Sequence, residues 1–293
     1  MEALRAVMVD EARGDTFHLP PYGGAKSERR TFRVVGGGLY GLGRMGVRAG
    51  VTQLFDTETG ELIAIVGGAT NLRVGATMGL AAQYLARPDA RSIGLLGSGR
   101  NALPILECLK IVRPIERVDV YSPTPAHRNR LAERATAALG IPVTSRDTPT
   151  AAISGADIIV VGTSSYTPVL SFEDVRPGTH VTSMGMSTEL DESIYLRVDQ
   201  FVAPSREQEV ESASPVAHPH VEGHLYRLVQ DGRYDPSSIV ELGSIMNGAA
   251  AARNGPTDIN LFRESRGGVG DVALANWVYE RAREAGLGVE VDL

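Results

Sequence analysis

Gly97-Ser98-Gly99-Arg100-Asn101-Ala102 is the stretch from which the rest of the chain can be read. It directly follows the apolar run Ser92 to Leu96 and opens a helix-like stretch from Leu103 to Val112. A second apolar run, Arg117 to Tyr121, comes next. Strand, glycine turn, helix and strand in that order make a phosphate-binding βα turn. Gly97 permits the tight turn off the strand, Gly99 lets a pyrophosphate approach the backbone, and small Ala102 keeps the helix close to the sheet. The free N–H groups and positive dipole end of that helix then receive the phosphate charge. A bare G-x-G-x-x-A string is common among glycine-rich turns; its flanking elements are what point to a dinucleotide site.

Outward from this turn the pattern continues. Val118 to Tyr121, Ile158 to Val161, His180 to Met184 and Gln200 to Ala203 are short apolar strands, and Ala126 to Leu139 is helical. Alternating β and α segments argue for a doubly wound parallel sheet of Rossmann type. Toward the N-terminus, residues 1–13 read as an amphipathic helix. Val51 to Phe55 and Glu61 to Val66 flank Asp56-Thr57-Glu58-Thr59-Gly60 as a hairpin, and Asn71 to Ala86 is a helix stopped by Pro88. Toward the C-terminus, Val221 to Gln230, Ile239 to Gly248 and Asp271 to Ala285 read as helices. The expected division is a dinucleotide-binding domain over 88–250, with 1–87 and 251–293 forming one discontinuous α+β domain.

Composition narrows the function. The 293 residues carry a net charge of −6 with no Lys/Arg block, so nucleic acid has no electrostatic footprint here. A single cysteine, Cys108, excludes a disulfide framework or a cysteine-built metal site. No stretch approaches the ~20 apolar residues of a membrane span, and a cytoplasmic protein is expected. His218-Pro219-His220-Val221-Glu222-Gly223-His224 has metal-like composition, but its proline and glycine make it a solvent-facing loop, and no metal is expected. The run Glu207 to Glu211 reads as a solvated face.

The end of the second strand bears on the choice of nucleotide. An acid there would bind the ribose hydroxyls of NAD; Ser122 stands in its place, and Asp119 lies too early. Ser122 and Thr124 leave room, and His127 and Arg128 bring positive charge, which favours NADP over NAD with Arg128 as phosphate partner. Thr163 and Ser164, after the strand Ile158 to Val161, stand where hydroxyls would reach the nicotinamide ribose.

With these pieces laid out, the chain resembles the ornithine cyclodeaminase/μ-crystallin family over nearly its whole length. The resemblance rests on Leu54 to Leu62, Leu72-Arg73-Val74-Gly75-Ala76-Thr77, Tyr84 to Asp89, the glycine loop, Ser154 to Asp157, Arg176 to His180, and Gly267-Gly268-Val269-Gly270-Asp271. It implies a Rossmann domain joined to a discontinuous domain that binds substrate and forms a homodimer. It also implies that Arg73 clamps a substrate carboxylate, a task suited to a planar guanidinium. A second such arginine falls at Arg30, with Arg33 as the alternative. Met186, after the fourth strand, falls on the cofactor side.

Two departures from the family matter. Arg48 stands at the catalytic lysine position and stays protonated, so it holds charge but shuttles protons poorly. The stretch Ser183 to Leu190 is shortened and lacks the aspartate of the cyclodeaminases. Asp271, at the start of the last helix, reads equally as a catalytic group or a helix cap. The resulting expectation is an NAD(P)-dependent oxidoreductase acting on a small imino or amino acid. The alternatives are a cyclodeaminase-type lyase with tightly held NAD and a crystallin-like NADP-binding protein without chemistry.

Overall fold

The computed structural model describes residues 1–19, 23–26, 31–68, 70–214, 222–264 and 267–291, with side chains for these except 23–26 and 31–33. The chain opens with α1 (Glu2–Arg13). An antiparallel sheet follows, built from β1 (Thr16–His18), β2 (Gly23–Lys26), β3 (Thr31–Leu39), β4 (Arg44–Ala49), β5 (Val51–Asp56) and β6 (Leu62–Val66). Its order is β1-β3-β4-β5-β6, with β2 also on β3. Then come α2 (Thr70–Leu85), β7 (Ser92–Leu96), α3 (Ala102–Val112), β8 (Arg117–Tyr121), α4 (Pro125–Leu139), β9 (Val143–Ser145), α5 (Pro149–Ile153), β10 (Ile158–Val161) and β11 (His180–Ser183). The remainder is α6 (Glu192–Arg197), β12 (Gln200–Ala203), α7 (Arg206–Ser212), α8 (His224–Gln230), β13 (Val240–Glu241), α9 (Leu242–Met246), β14 (Asn260–Arg263) and α10 (Gly268–Glu284).

The second sheet has eight strands, all parallel, in the order β13-β12-β14-β11-β10-β7-β8-β9. Its central strand β10 is apolar throughout because both faces are covered. Ile158 and Val160 join one core cluster, and Ile159 and Val161 join the other. The chain runs outward from β7 to β8 and β9, then returns to β10 on the other side of β7. That reversal opens a crevice at the carboxyl ends of β7 and β10.

Three expectations need correction. Strand β14 was not anticipated, and the boundary at residue 250 leaves it outside the nucleotide unit. It pairs between β11 and β12 in the parallel sheet. Only four residues long and ending in Asn260 and Arg263, it has too short an apolar run to stand out. The helix expected over Ile239 to Gly248 shrinks to α9, because Val240 and Glu241 pair with Val202 and Ala203 as an edge strand. Glu209, in the run read as solvated, is fully buried and ion-paired with Arg263 at 2.6 Å.

Two packing contacts carry the antiparallel unit to the crevice. Helix α10 lies across β3 and β4, where side chains on Gly37 or Gly46 would collide with Val269 or Val272. Helix α2 lies on α3, its Gly75 against the Pro104 carbonyl. The second turn of α2 thus sits beside the helix that follows the glycine loop.

At the amino ends of the parallel strands, His180 opens β11 and is fully buried, with neither ring nitrogen hydrogen-bonded among the described residues. Burial, reinforced by Arg253 and Arg113, lowers its pKa to about 3. A pKa depressed by folding contributes stability above the unfolded value of about 6.5, and that stability is lost as pH falls toward about 3. Urea melts should therefore show about 2–3 kcal/mol less stability at about pH 4.5 than at neutrality from this group. His180→Leu should remove that part of the slope; an unchanged slope would show that His180 is not buried in its neutral form.

Candidate functional site

The crevice is a cleft of about 1000 Å³. The glycine loop forms its floor, the β8–α4 connection one wall, and Gly162, Thr163, Ser164 and Met184 the other. Gly97 has φ +118°, and a Cβ there would stand 2.3 Å from the Gly162 carbonyl oxygen. Only glycine can therefore make this turn while the ends of β7 and β10 stay side by side. Above Gly99 there is open space.

The donors needed for an anion are present. Among the described residues, the backbone N–H groups of Ser98, Gly99, Arg100 and Asn101 donate to no protein acceptor, while Gly97 N–H is taken by Tyr121. Asn101 Nδ2 lies 3.5 Å from Met184 Sδ, leaving its buried Oδ1 without a partner. Orphan donors at a helix start and an orphan acceptor over the cleft suit a pyrophosphate and an amide-bearing ring. The residues fit a dinucleotide.

Several cofactor residues expected from the sequence come together here: Gly97, Ser98, Gly99, Arg100, Asn101, Ser122, Thr124, Thr163 and Ser164 all line the cleft. Ala102 is buried behind the loop at the start of α3. Met184 lines the cleft in place of Met186, which begins the short 3₁₀ turn Ser187–Glu189 instead. Thr163 has its hydroxyl committed, donating to Glu189 Oε2 at 2.7 Å.

Arg128 is neither solvent-facing nor free. It is buried, donates to the Ser122 carbonyl at 3.0 Å and pairs with Asp147 at 2.6 Å. The guanidinium braces the β8–α4 turn, so it is not the phosphate partner expected. Asp119 is likewise engaged, with Arg146.

Glu189 was missed in the sequence. Fully buried, it accepts from Thr163, from Ser183 Oγ at 2.7 Å and from the Gly185 N–H at 2.9 Å, tying the ends of β10 and β11 together. Burial raises its pKa against the opposing pull of Arg263 and these hydrogen bonds. It is the only carboxylate between Ser183 and Leu190, and both of its oxygens are occupied.

A second cluster lies at the same edge. In the sheet register Leu96, Val161, Ser183 and Arg263 are aligned across β7, β10, β11 and β14. Glu264, next after β14, is therefore two strand spacings from the end of β10, ~10 Å. Glu264 pairs with Arg73 Nη1, and Arg73 Nε donates to Asp271 Oδ1 at 3.1 Å. The other Asp271 oxygen takes Arg48 Nε at 2.5 Å.

Arg48, Arg73 and Asp271, expected as site residues, are thus one hydrogen-bonded group. Asp271 is buried one turn into α10 and does not cap it, the cap position being Gly267. Burial opposes the Arg73 charge, but Glu264 and Asp271 overcome it and hold its pKa above the ordinary value. Burial raises the Glu264 pKa, with Arg73 pulling the other way. Arg48 is about one-fifth exposed, and its Nη atoms have no partner among the described residues. Arg30 lies outside the described residues, as do the side chain of Arg33 and residues His218 and His220; His224 Nδ1 lies 2.8 Å from the Leu190 carbonyl.

Comparison with known proteins fits this arrangement. The family model described as the ornithine cyclodeaminase/mu-crystallin family matches residues 5–286. The chain belongs to this family. A Delta(1)-pyrroline-2-carboxylate reductase of Bacillus cereus is 32% identical over 250 residues, covering 83% of this chain and 74% of that protein. The solved Thermococcus litoralis Delta(1)-pyrroline-2-carboxylate reductase, in complex with NADH and L-proline, superimposes with a TM-score of 0.88. It has 26% identity and covers 99% of this chain and 94% of the other. The iminosuccinate reductase of Paracoccus denitrificans, in complex with NAD+, gives a TM-score of 0.86 at 27% identity, covering 100% and 94%.

Proposed function

We propose that the protein is an NAD(P)-dependent imino-acid reductase whose first substrate class is a small cyclic imine bearing an α-carboxylate, of the pyrroline-2-carboxylate kind. The observation that carries this reading is the Arg48–Asp271–Arg73 group at the edge that also carries the dinucleotide cleft. The relatives' activity toward imino acids supports it.

When bound, the nicotinamide supplies the hydride. The chain's own contribution is placement. Arg48 presents its free Nη edge to the substrate carboxylate, and Asp271 fixes that guanidinium against Arg73. A guanidinium holds negative charge and does not move protons. A substrate that arrives as the protonated iminium needs no base from the protein, and positioning beside fixed charge supplies much of the rate.

The absence of a free acid on Ser183–Leu190 weighs against deaminating ring closure, which needs a base near the substrate amine. The dinucleotide reading extends to either NADH or NADPH, because no acid at the end of β8 rejects a 2′-phosphate. We also take the chain to be a homodimer. Trp277, Tyr40 and Ile65 are exposed apolar side chains of the antiparallel unit and α10 that a second copy would cover.

The test is a panel of cyclic and acyclic imino acids followed by nicotinamide absorbance. Consumption of NADH or NADPH with pyrroline-2-carboxylate is expected. Ammonia release from ornithine without net change in the cofactor would instead establish a lyase, and binding without any turnover a crystallin-like role.

A further inference from the structure

The Glu189 carboxyl is the acceptor in every hydrogen bond it makes among the described residues. Oε2 takes the Thr163 hydroxyl at 2.7 Å and the Thr163 N–H at 3.3 Å. Oε1 takes the Ser183 hydroxyl at 2.7 Å and the Gly185 N–H at 2.9 Å. Each hydroxyl also accepts a bond of its own, Thr163 Oγ1 from the Ser165 N–H at 3.1 Å and Ser183 Oγ from Arg263 Nη1 at 3.0 Å. Their single protons therefore point at Glu189, and only an ionised carboxylate satisfies every donor around it. Its space is kept free as well, since a Cβ on Gly185 would fall on the carboxyl group.

Through these bonds Glu189 and its neighbours hold a whole segment. The Glu189 carbonyl takes the Val169 N–H at 2.8 Å, the Thr188 hydroxyl faces the Ser165 carbonyl at 3.5 Å, and Leu190 bridges to Leu170. Residues 163–170 are thus pinned to 188–190, with Thr163, Ser164 and Ser165 forming one wall of the cleft. Met184, which lines the cleft beside them, stands between Ser183 and Gly185, both bound to the same carboxylate oxygen. Arg263 fixes this side further, donating to the Gly185 carbonyl at 3.0 Å while Glu209 anchors its Nε at 2.6 Å.

We infer that Glu189 is a positioning residue for imine reduction: acting through the Thr163 hydroxyl, its carboxylate sets the spacing between the Thr163–Ser165 wall and Met184. This rests on the reading of the protein as an imino-acid reductase. Glu189 is fully buried and does not line the cleft, so it touches neither reactant. The step it serves moves a hydride from the reduced nicotinamide to the iminium carbon. The C=N π pair passes to nitrogen, so the substrate is reduced and the nicotinamide oxidised. Misplacement on the order of 1 Å between the reacting atoms slows such a step about a hundredfold.

The test compares Thr163→Val, Thr163→Ser, Glu189→Gln and the Thr163→Val/Glu189→Gln double variant in the full chain. Pyrroline-2-carboxylate reduction, calorimetric NADH binding and thermal melts are measured for each. Thr163→Val deletes a part-buried hydroxyl, and it should melt and bind NADH like the wild type. Its kcat at saturating substrates should fall about tenfold or more, the worth of a charge-assisted hydrogen bond. A primary isotope effect with C4-deuterated NADH should rise with it, because hydride transfer becomes the slow step. Thr163→Ser keeps the hydroxyl and should restore both. Glu189→Gln turns a donor toward a donor, and adding Thr163→Val to it should cost far less than Thr163→Val costs alone, since the two side chains act as one contact. An unchanged kcat in Thr163→Val, a loss confined to NADH affinity, or full additivity of the two substitutions overturns the inference and leaves the reductase reading standing. A wild type that reduces none of the imino acids tried overturns that reading and the inference with it.

Discussion

Gly97→Ala is expected to weaken binding of NADH and NADPH at least about a hundredfold while the chain still folds. The residue sits at φ +118°, a conformation costing an L-residue about 1–3 kcal/mol. The added carbon would also lie 2.3 Å from the Gly162 carbonyl oxygen. That oxygen belongs to backbone, so relief requires the ends of β7 and β10 to part. The N–H groups of Ser98 to Asn101 then lose their common aim at one pyrophosphate. Calorimetric titration beside a thermal melt separates the outcomes. An unaltered affinity would mean that the loop is a structural turn and that the phosphates bind elsewhere.

Arg73→Ala is expected to abolish imine reduction and to destabilise the protein by about 3–5 kcal/mol, because Glu264 and Asp271 would remain buried without their partner. Stability and catalysis must therefore be read apart. Arg73→Lys keeps the charge but loses the fork that spans Asp271 and Glu264, so Asp271, which fixes Arg48, is then held on one side only. It should melt close to the wild type and bind NADH normally, while kcat/KM falls about a hundredfold or more, within the range for breaking a buried charge pair. Unchanged kcat/KM in the lysine variant would remove the arginine cluster from the substrate site.

The parts of the molecule that could be read from sequence are those that repeat a local rule. The glycine loop is flanked by a five-residue apolar strand and an eleven-residue helix, and every link is a neighbour in sequence. Arg73 and Asp271 came from motifs, but the contact joining them spans 198 residues and nothing local announces it. Glu209 illustrates the opposite failure. In a run of alternating acids it looks solvated, and only Arg263, 54 residues on, makes its burial tolerable.

Glu189 escaped notice for the same reason, since its donors lie at the ends of two strands, β10 and β11. Arg128 was read as a phosphate ligand by its spacing from the second strand. That spacing also brings the guanidinium within reach of the Ser122 carbonyl, and in the folded chain that contact prevails. Met184, rather than Met186, reaches the cleft because it directly follows β11, whereas Met186 already leads into the next turn. Side-chain direction past a strand end is set by the loop's hydrogen bonds, here those of Glu189, and not by sequence order.

The account turns on one geometry: a nicotinamide ring at the ends of β10 and β11, with a substrate carboxylate beside it on Arg48, which Asp271 fixes against Arg73. A crystal structure of the protein with a reduced nicotinamide dinucleotide and L-proline tests it most directly. The expected density places the pyrophosphate on Ser98 to Asn101, the ring beside Ser164 and Met184, and the proline carboxylate within hydrogen-bond reach of Arg48 Nη. Dinucleotide bound in the cleft with the carboxylate held away from Arg48 would contradict the account.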